Sequence, residues 1–385
     1  MKFLARLRAP MKSMRPHPRL KDKRLWARFA MTLVIALFGA LLFKKLSLPL
    51  PWMLGPLTLV TLGAVLRVKL FAPASIRPPM TAVIGVLLGA SFAPSIIGDF
   101  MNWLPTLLGL VVLTAISGLC CAIFLYKVGG FDPVTAYFGG MPGGLVEMVE
   151  LGAERGADER TVALMHSTRI LLVVFSLPFI LQWIEGVPIA NHAAVSDETR
   201  DGTLTAFALL LVCAFLGSHM GRILRLPAKH LMGPMLFSAV LHIAGLTDFT
   251  PPSEIVNLAQ LIIGTVLGVR FVGVALRVVC HMFAIALGMI GIMIGFVFII
   301  AMIVSKVSAI PLATLVLAYA PGGLAEMSLV ALALNSDVAF IATHHLARIL
   351  IVMLGAAPVY AILFRFTKAG IAREVKPPSG LPHQK

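Results

Sequence analysis

The stretch GGMPGGLVEMVELGAERGADERTVALMHSTRILLVV, from Gly139 to Val174, decides how this chain folds. It ends in a strongly apolar run, yet it contains Pro-Gly-Gly, a glutamate, and a histidine and an arginine three residues apart. Polar and ionisable residues inside a membrane are expensive and mark functional or buried sites. A second copy, YAPGGLAEMSLVALALNSDVAFIATHHLARILIV, runs from Tyr319 to Val352. The same costly pattern therefore occurs twice in one chain.

The composition around this stretch is that of a membrane protein. The chain has 385 residues, of which 59% are hydrophobic and 13% are charged, and its mean hydropathy is +0.95. A soluble domain of this size could not hide so much apolar surface in its core. The window from Phe283 to Val304 carries no charge and is long enough to cross a hydrocarbon layer of about 30 Å. We therefore predict an all-α polytopic membrane protein, since a transmembrane β-barrel would show short alternating segments instead.

The net charge of +15 is concentrated at the N-terminus. Residues 1–28 contain ten Lys or Arg and one Asp, and an apolar run follows at once. Basic residues beside a membrane helix mark its cytoplasmic end, so this head predicts a cytoplasmic N-terminus close to anionic lipid headgroups. The head is interrupted by prolines and offers no folded DNA-binding module, so we expect no nucleic-acid partner.

No metal and no cofactor are expected from the cysteines. All of them lie inside apolar runs and lack metal-ligand or CxxC spacing, so we interpret them as small buried hydrophobic residues. They are Cys120, Cys121, Cys213 and Cys280.

The two copies of the opening motif belong to a longer internal repeat. An offset of 179 residues, which takes Pro142 to Pro321, leaves thirteen identical positions between Pro142 and Val173. The match extends upstream, because IGVLLGASF at 84–92 pairs with IGTVLGVRF at 263–271. We therefore predict a tandem duplication. Its parts are a basic head at 1–25, a first membrane repeat at 26–187, a polar linker at 188–202, a second membrane repeat at 203–367 and a basic tail at 368–385.

Each repeat contains six apolar segments. We place them near 26–43, 51–68, 79–98, 103–127, 132–153 and 161–185, and again near 203–224, 230–246, 255–276, 279–305, 311–333 and 338–366. If the Pro-Gly-Gly segment of each repeat enters and leaves on one side, about ten crossings remain and the repeats are inverted. Most basic loops and both termini then fall in the cytoplasm, as expected of a multi-pass protein of the bacterial inner membrane. Twelve full crossings are the alternative.

The Pro-Gly-Gly steps predict two breaks in helical structure. Proline removes a backbone donor and glycine weakens a helix, so both steps are expected to unwind. The residues concerned are Pro142, Gly143, Gly144, Pro321, Gly322 and Gly323. Unwound backbone at membrane depth survives only where protein or a water-filled cavity satisfies it. We interpret these residues as a substrate- or ion-binding site; a packing kink where two helices cross closely is the alternative.

A glutamate follows each predicted break. Glu147 and Glu326 both lie three residues after the last glycine, in the first turn of the following half-helix. A carboxylate at membrane depth needs a partner or a function. We expect these residues to carry protons or to coordinate a cation, while the alternative is that each one caps its own helix N-terminus.

A histidine and an arginine share one face of the helix after each hairpin. His166 and Arg169 are three residues apart, as are His345 and Arg348. The arginines precede long apolar runs, so we expect them within the membrane, with a glutamate of the neighbouring hairpin as partner. Each arginine then belongs either to an anion-binding site or to a structural Arg–Glu clamp. The histidines either relay protons or serve as hydrogen-bonded packing residues.

These motifs resemble the AbrB duplication family of bacterial inner-membrane proteins, whose repeat unit carries PGGL.EM and a later arginine. Both copies are intact here, as PGGLVEM at 142–148 and PGGLAEM at 321–327, and the likeness covers nearly the whole chain after the basic head. Members of that family carry labels such as ammonia monooxygenase and regulator of gene expression. The ten histidines of this chain are scattered, apart from His344–His345, so they do not form the compact cluster that a copper monooxygenase needs.

The sequence favours an ion-coupled secondary transporter or exporter of a small polar or anionic solute. Inverted repeats with interrupted helices are the architecture of such transporters, and the site is expected where the two breaks meet. H+ or Na+ is the expected coupling ion, and no Walker lysine motif is present to use ATP. A membrane protein that regulates gene expression without transport is the alternative, and an enzyme is not expected. The lipid bilayer is the other expected partner, and a homo-oligomer is left open.

Overall fold

The structure, a computed structural model, describes residues 23–365 except 95–97, 99, 186–202 and 335. All regular secondary structure in these ranges is helical, so the predicted all-α fold is confirmed. Nearly all of the basic head, the predicted linker at 188–202 and the predicted tail at 368–385 lie outside the described residues.

The helices of the two predicted repeats follow the same order. In the described part of the first repeat they are α1 (Lys23–Lys45), α2 (Pro51–Val65), α3 (Arg77–Gly89), α4 (Leu104–Lys127), α5 (Pro133–Gly140), α6 (Leu145–Ala153) and α7 (Glu159–Glu185). In the second repeat they are α8 (Thr203–Ile223), α9 (Lys229–Ile243), α10 (Ser253–Val269), α11 (Leu276–Ser305), α12 (Leu312–Tyr319), α13 (Leu324–Ala333) and α14 (Val338–Arg365). Short 3-10 turns at Ala74–Ile76 and Phe100–Trp103 precede α3 and α4.

The helices fall into two length classes. Among the described residues, six are long and apolar enough to cross a membrane, namely α1, α4, α7, α8, α11 and α14. The helices α2, α3, α9 and α10 span only 13 to 17 residues, or roughly 20–25 Å. The third segment, expected at 79–98, ends as a helix at Gly89. The number of ten crossings therefore stays a prediction.

Glycines set the contacts between the two repeats. A Cβ added to Gly85 of α3 would collide with the backbone oxygen of Leu231 in α9. A Cβ added to Gly264 of α10 would collide in the same way with the backbone oxygen of Met53 in α2. Small residues at such crossings let membrane helices approach closely and pack. The third helix of each repeat therefore packs against the second helix of the other repeat.

Both Pro-Gly-Gly segments form broken helical hairpins. In the first repeat, α5 ends at Gly140 and α6 begins at Leu145; in the second, α12 ends at Tyr319 and α13 begins at Leu324. The four residues between the paired helices are non-helical in both hairpins. The predicted unwinding at both places is confirmed.

Candidate functional site

The two breaks have the same backbone geometry. Met141 and Gly144 are the first and last residues of the first break and have ψ angles of 136° and 144°. Ala320 and Gly323 are the first and last residues of the second break and have ψ angles of 138° and 150°. These extended conformations separate two helical segments, so each break has helix-terminal carbonyls on one side and helix-terminal N–H groups on the other. Polar backbone is thereby placed twice in apolar surroundings.

A buried arginine satisfies the carbonyl side of the first break. Arg169, on α7, is 2% exposed. It donates from Nη1 to the Met141 oxygen at 2.8 Å and from Nη2 to the Gly143 oxygen at 3.0 Å. The planar fork of a guanidinium suits two acceptors at this spacing.

The second break repeats this arrangement. Arg348, on α14, is 4% exposed and donates from Nη1 to the Ala320 oxygen and from Nη2 to the Gly322 oxygen, the latter at 2.6 Å. In both repeats the acceptors lie 28 and 26 residues before the arginine. The predicted equivalence of Arg169 and Arg348 therefore extends to their bonding partners.

The predicted clamp between arginine and glutamate is wrong. Arg169 and Arg348 bond carbonyl oxygens, and within the described part of the chain neither forms an ion pair with Glu147 or Glu326. Met141 and Ala320 directly follow α5 and α12, whose C-terminal dipole ends are negative and attract a cation. Gly143 and Gly322 lie inside the breaks, where their carbonyls have left the helical pattern. Both guanidinium groups therefore keep their charge without a bonded carboxylate.

The histidines brace the helices on the carbonyl side of the breaks. His166 Nε2 lies 2.9 Å from the Phe138 oxygen, and His345 Nε2 lies 3.0 Å from the Leu317 oxygen. A carbonyl only accepts hydrogen bonds, so each imidazole donates from Nε2 and keeps its lone pair on Nδ1 when neutral. That lone pair accepts from Arg348 Nη2 at 2.9 Å in His345, whereas Nδ1 of His166 has no partner.

The glutamates fold back over the glycines that end each break. A Cβ added at Gly144 would collide with Oε2 of Glu147, and one added at Gly323 would collide with Oε2 of Glu326. Each carboxylate therefore lies at the N-terminus of its own half-helix, where the helix dipole favours negative charge. The two residues differ in exposure, because Glu326 is 6% exposed whereas Glu147 is half-buried. The carboxylates occupy the position expected of a cap and lie beside the unwound backbone of each break.

A small cavity connects the two breaks. Pro142 of the first break and Pro321 of the second both line it, with Arg348 beside them. Its volume of about 10 Å³ for water-sized molecules is close to that of a single water. The other lining residues are Leu113, Thr114, Ser117, Met293, Val297 and Tyr319. The two breaks therefore meet at one place in the fold.

Helix α4 contacts both broken hairpins. A Cβ added at Gly118 would lie 2.9 Å from the Met141 sulfur of the first break. One added at Gly109 would lie 2.8 Å from the hydroxyl of Tyr319, at the end of α12. That hydroxyl donates to the Thr106 oxygen at 2.6 Å. The first repeat therefore holds the hairpin of the second repeat through α4.

Several buried polar atoms around the breaks have no hydrogen-bond partner. They are Thr114 Oγ1, His166 Nδ1, Arg169 Nε and Arg348 Nε. An unpaired buried donor or acceptor costs about 1–3 kcal/mol, so most such groups in folded proteins are satisfied. Because these four atoms lie close to the breaks, the site can form further hydrogen bonds with a ligand or with water.

Arg270 is a charged residue near the site that the sequence pattern missed. It follows α10, donates from Nη1 to the buried Ser167 hydroxyl at 3.2 Å and is attracted electrostatically to Glu326. Ser167 belongs to the same stretch of α7 as the predicted histidine and arginine. The repeat gave no signal for Arg270, because the equivalent residue of the first repeat is Ser91. An arginine directly after an apolar helix was the only signal available.

His344, which has Met165 as its counterpart in the first repeat, links α14 to α4. Its Nε2 lies 2.8 Å from Thr106 Oγ1, and its Nδ1 donates to the Phe340 oxygen at 2.8 Å. Its ring also packs against Phe340, tilted by 38° and with 4.0 Å between centroids. These contacts are those of a packing residue. In the described residues, no group of three or more His, Cys, Asp or Glu is arranged to hold a metal ion.

Known proteins are similar to this chain over most of its length. A family model described as "Transition state regulatory protein AbrB" matches residues 52–364, which includes both breaks. "Uncharacterized protein YhjN" of Bacillus subtilis (strain 168) is 27% identical over 357 residues, covering 86% of this chain and 92% of that protein. "Putative regulator AbrB" of Escherichia coli (strain K12) is 26% identical over 334 residues, covering 85% of this chain and 94% of that protein.

Proposed function

The chain belongs to the AbrB family, and on that premise we propose that it is an ion-coupled secondary transporter or exporter of a small polar or anionic solute. The proposed binding residues are Pro142, Gly143, Gly144, Glu147, His166, Arg169, Pro321, Gly322, Gly323, Glu326, His345 and Arg348. We place the protein in the bacterial inner membrane with both termini in the cytoplasm. The long apolar helices and the basic head support that placement.

One observation carries this proposal: two broken helices, one from each repeat, meet at a cavity lined by a buried arginine. Pro142, Pro321 and Arg348 share that cavity. Interrupted helices that meet in the middle of an apolar fold are how secondary transporters build their binding sites. A packing kink alone needs neither a guanidinium nor an unpartnered hydroxyl at a cavity wall.

The charge at the breaks favours a solute with acceptor groups. Arg169 and Arg348 lie close enough to repel each other, and they bond carbonyls rather than carboxylates. The N-termini of α6 and α13 add positive character. Because a buried charge is stable only with partners, a polar or anionic solute complements this site.

Glu147 and Glu326 are the proposed coupling residues. Each carboxylate lies beside unwound backbone, and Glu326 is almost fully buried. A buried carboxylate is stabilised when it binds H+ or Na+, which links ion binding to closure of the site. In this scheme one repeat moves against the other around the cavity, and the lipid bilayer, the solute and the ion are the partners. The proposal includes no enzymatic step.

A screen on the full-length protein in detergent tests the proposal. The midpoint of thermal unfolding is measured with organic acids, amines and metal ions at several pH values, for wild type and for Glu147→Gln/Glu326→Gln. We expect a compound that raises the midpoint of wild type and not of the double variant, because binding to the native state stabilises it. Glu150→Gln is the control, since Glu150 is exposed on the same half-helix as Glu147.

Proteoliposomes then test coupling directly. Uptake of the compound found in the screen is measured with an imposed H+ gradient, with an imposed Na+ gradient and with neither. We expect uptake that follows one gradient in wild type and is lost in the double variant. If no compound binds and none is taken up, transport is not the function.

A second candidate is a membrane protein that regulates gene expression without transport. The name of the Escherichia coli relative, "Putative regulator AbrB", favours it. Under this alternative a deletion strain regains its normal expression pattern with Glu147→Gln/Glu326→Gln as well as with wild type. Under the transport proposal the double variant fails to restore it.

A further inference from the structure

The walls of the cavity single out one class of solute. We propose that Thr114 and Arg348 together bind the charged group of a small organic monoanion, a carboxylate with a short apolar body. This inference rests on the proposed transport function and deepens it, because it names the solute class and adds Thr114 to the site.

Two residues that line the cavity each carry a hydrogen-bond donor without a partner. Thr114 and Arg348 line the cavity and are 5% and 4% exposed, and neither Thr114 Oγ1 nor Arg348 Nε has a partner. The Nη atoms of Arg348 are engaged by Ala320, Gly322 and His345. The Thr114 hydroxyl and the Arg348 Nε–H therefore remain for a ligand.

A carboxylate complements both of these donors. It accepts from a hydroxyl and from a guanidinium, and hydrogen bonds between ionised partners are the strong ones. The other two hydroxyl-bearing residues of the lining already donate, Ser117 to the Leu113 oxygen and Tyr319 to the Thr106 oxygen, both at 2.6 Å, and are left as acceptors. An amine cation would instead meet the positive charge of Arg348 and be repelled.

Two lining residues at equivalent positions of the two repeats differ in polarity. Thr114 on α4 and Met293 on α11 both line the cavity and are separated by the repeat offset of 179 residues. The equivalent positions thus carry a hydroxyl in the first repeat and a thioether in the second. A solute with one polar end and one apolar end matches this pair, with its charged end at Thr114 and its body at Met293.

The apolar wall also limits the charge and the size of the solute. Leu113, Met293, Val297 and the two prolines of the breaks offer no second charged group, so a dianion would bury one charge without a partner. The cavity admits only about one water, so it must widen to bind a carboxylate, and a short apolar body needs the least widening. Met293 is the wall residue best able to yield, because its side chain is unbranched and flexible.

Binding of simple carboxylates to the full-length protein tests the assignment. The midpoint of thermal unfolding is titrated with sodium formate, acetate and butyrate, and with sodium chloride and methylammonium chloride for comparison. We expect the carboxylates alone to raise the midpoint. Thr114→Val removes the hydroxyl at nearly constant volume and is expected to weaken acetate binding about tenfold.

Thr61→Val is the matched control. Thr61 Oγ1 is also buried and without a partner, but it lies on α2 outside the cavity lining. Acetate is expected to bind this variant as tightly as wild type. If Thr114→Val binds acetate as tightly as Thr61→Val, the assignment of Thr114 is overturned.

Met293→Ala provides a second test, because a residue with a purely structural role would not change the order of affinities for different carboxylates. It enlarges the apolar side of the cavity, so the preference is expected to move from acetate towards butyrate. An unchanged order of affinities overturns the orientation proposed above. If methylammonium binds and the carboxylates do not, the solute class is wrong while transport stands. If the wider ligand screen finds no binding and the uptake assay finds no uptake, the transport proposal is overturned together with the assignment of the solute.

Discussion

Arg348 donates from Nη2 to Nδ1 of His345 at 2.9 Å, three residues earlier on α14. His345 in turn donates from Nε2 to the Leu317 oxygen of the second hairpin. In the first repeat the residue types and their spacing are the same, yet Nδ1 of His166 has no partner. The two repeats therefore share the bonds between arginine and carbonyl and differ in the bond between arginine and histidine.

This difference predicts unequal costs for removing the two histidines. His345→Ala removes a bond to a charged donor in addition to the carbonyl bond, whereas His166→Ala removes the carbonyl bond alone. We expect His345→Ala to lower the free energy of unfolding by about 1–3 kcal/mol more than His166→Ala. Chemical unfolding of both variants in the same detergent measures this difference in the free energy of unfolding. Equal losses would show that the Arg348–His345 bond contributes nothing to stability.

The arginines are expected to resist replacement by lysine. An ammonium group cannot reach both carbonyls of a break with the planar geometry of a guanidinium. Arg169→Lys and Arg348→Lys should each lower the free energy of unfolding by roughly 1–3 kcal/mol, because one backbone oxygen is left unpaired in a buried position. Arg222→Lys, at an exposed position on α8, is the control and should stay within about 0.5 kcal/mol of wild type. A loss confined to one of the two breaks would contradict their equivalence.

The contact between glycine and glutamate at each break predicts a different response to an added methyl group. Glu147 is half-buried, so Gly144→Ala lets its carboxylate swing away at little cost in stability. Glu326 is 6% exposed, so Gly323→Ala should destabilise by about 1–3 kcal/mol through overpacking. Thermal and chemical unfolding compare the two variants.

A double-mutant cycle isolates that contact. Gly323→Ala/Glu326→Ala is expected to recover most of the stability lost in Gly323→Ala, giving a coupling energy of about 1–3 kcal/mol. Gly295→Ala is the control for glycine replacement, because an added Cβ there meets nothing within 4 Å. It should leave stability unchanged or raise it by up to about 1 kcal/mol. If the stability changes of the two single variants simply add, the Glu326 carboxylate does not contact Gly323.

Much of this architecture was predictable from the polar residues in the apolar segments. Such residues are costly inside a membrane, so each one marks a break in a helix or a buried polar contact. The Pro-Gly-Gly steps predicted the breaks at Pro142 and Pro321, since neither residue type sustains a helix. The repeat then predicted that Arg169 and Arg348 would be equivalent. Periodicity along one chain says nothing, however, about which distant helix a residue approaches.

The partners of the charged residues could not be predicted for that reason. Glutamate is the usual counter-ion of arginine, but Arg169 and Arg348 are closer to the carbonyls that the breaks themselves leave free. Thr114 lies within the long apolar helix α4, where a lone hydroxyl gives no sequence signal. Arg270 has no arginine at the equivalent position of the first repeat, so the match between the two repeats does not single it out.

Arg270 leads to the last prediction, which concerns the coupling ion. Its positive charge attracts Glu326 and competes with any cation that binds this carboxylate. Arg270→Ser, which places the residue of the equivalent position Ser91, removes the competitor without altering either break. The concentration of H+ or Na+ that gives half-maximal uptake in proteoliposomes should therefore fall about tenfold, since removal of one nearby unit charge changes the free energy of cation binding by roughly 1–2 kcal/mol.

Arg270→Lys separates this effect from the loss of the bond to Ser167. Lysine keeps the charge while it weakens the 3.2 Å hydrogen bond from Nη1 to the Ser167 hydroxyl. Half-maximal uptake in Arg270→Lys should stay within about twofold of wild type if charge is what matters. Should lysine and serine shift the ion dependence equally, the hydrogen bond to Ser167 controls the site. Arg270 would then position α7 instead of tuning the charge at Glu326.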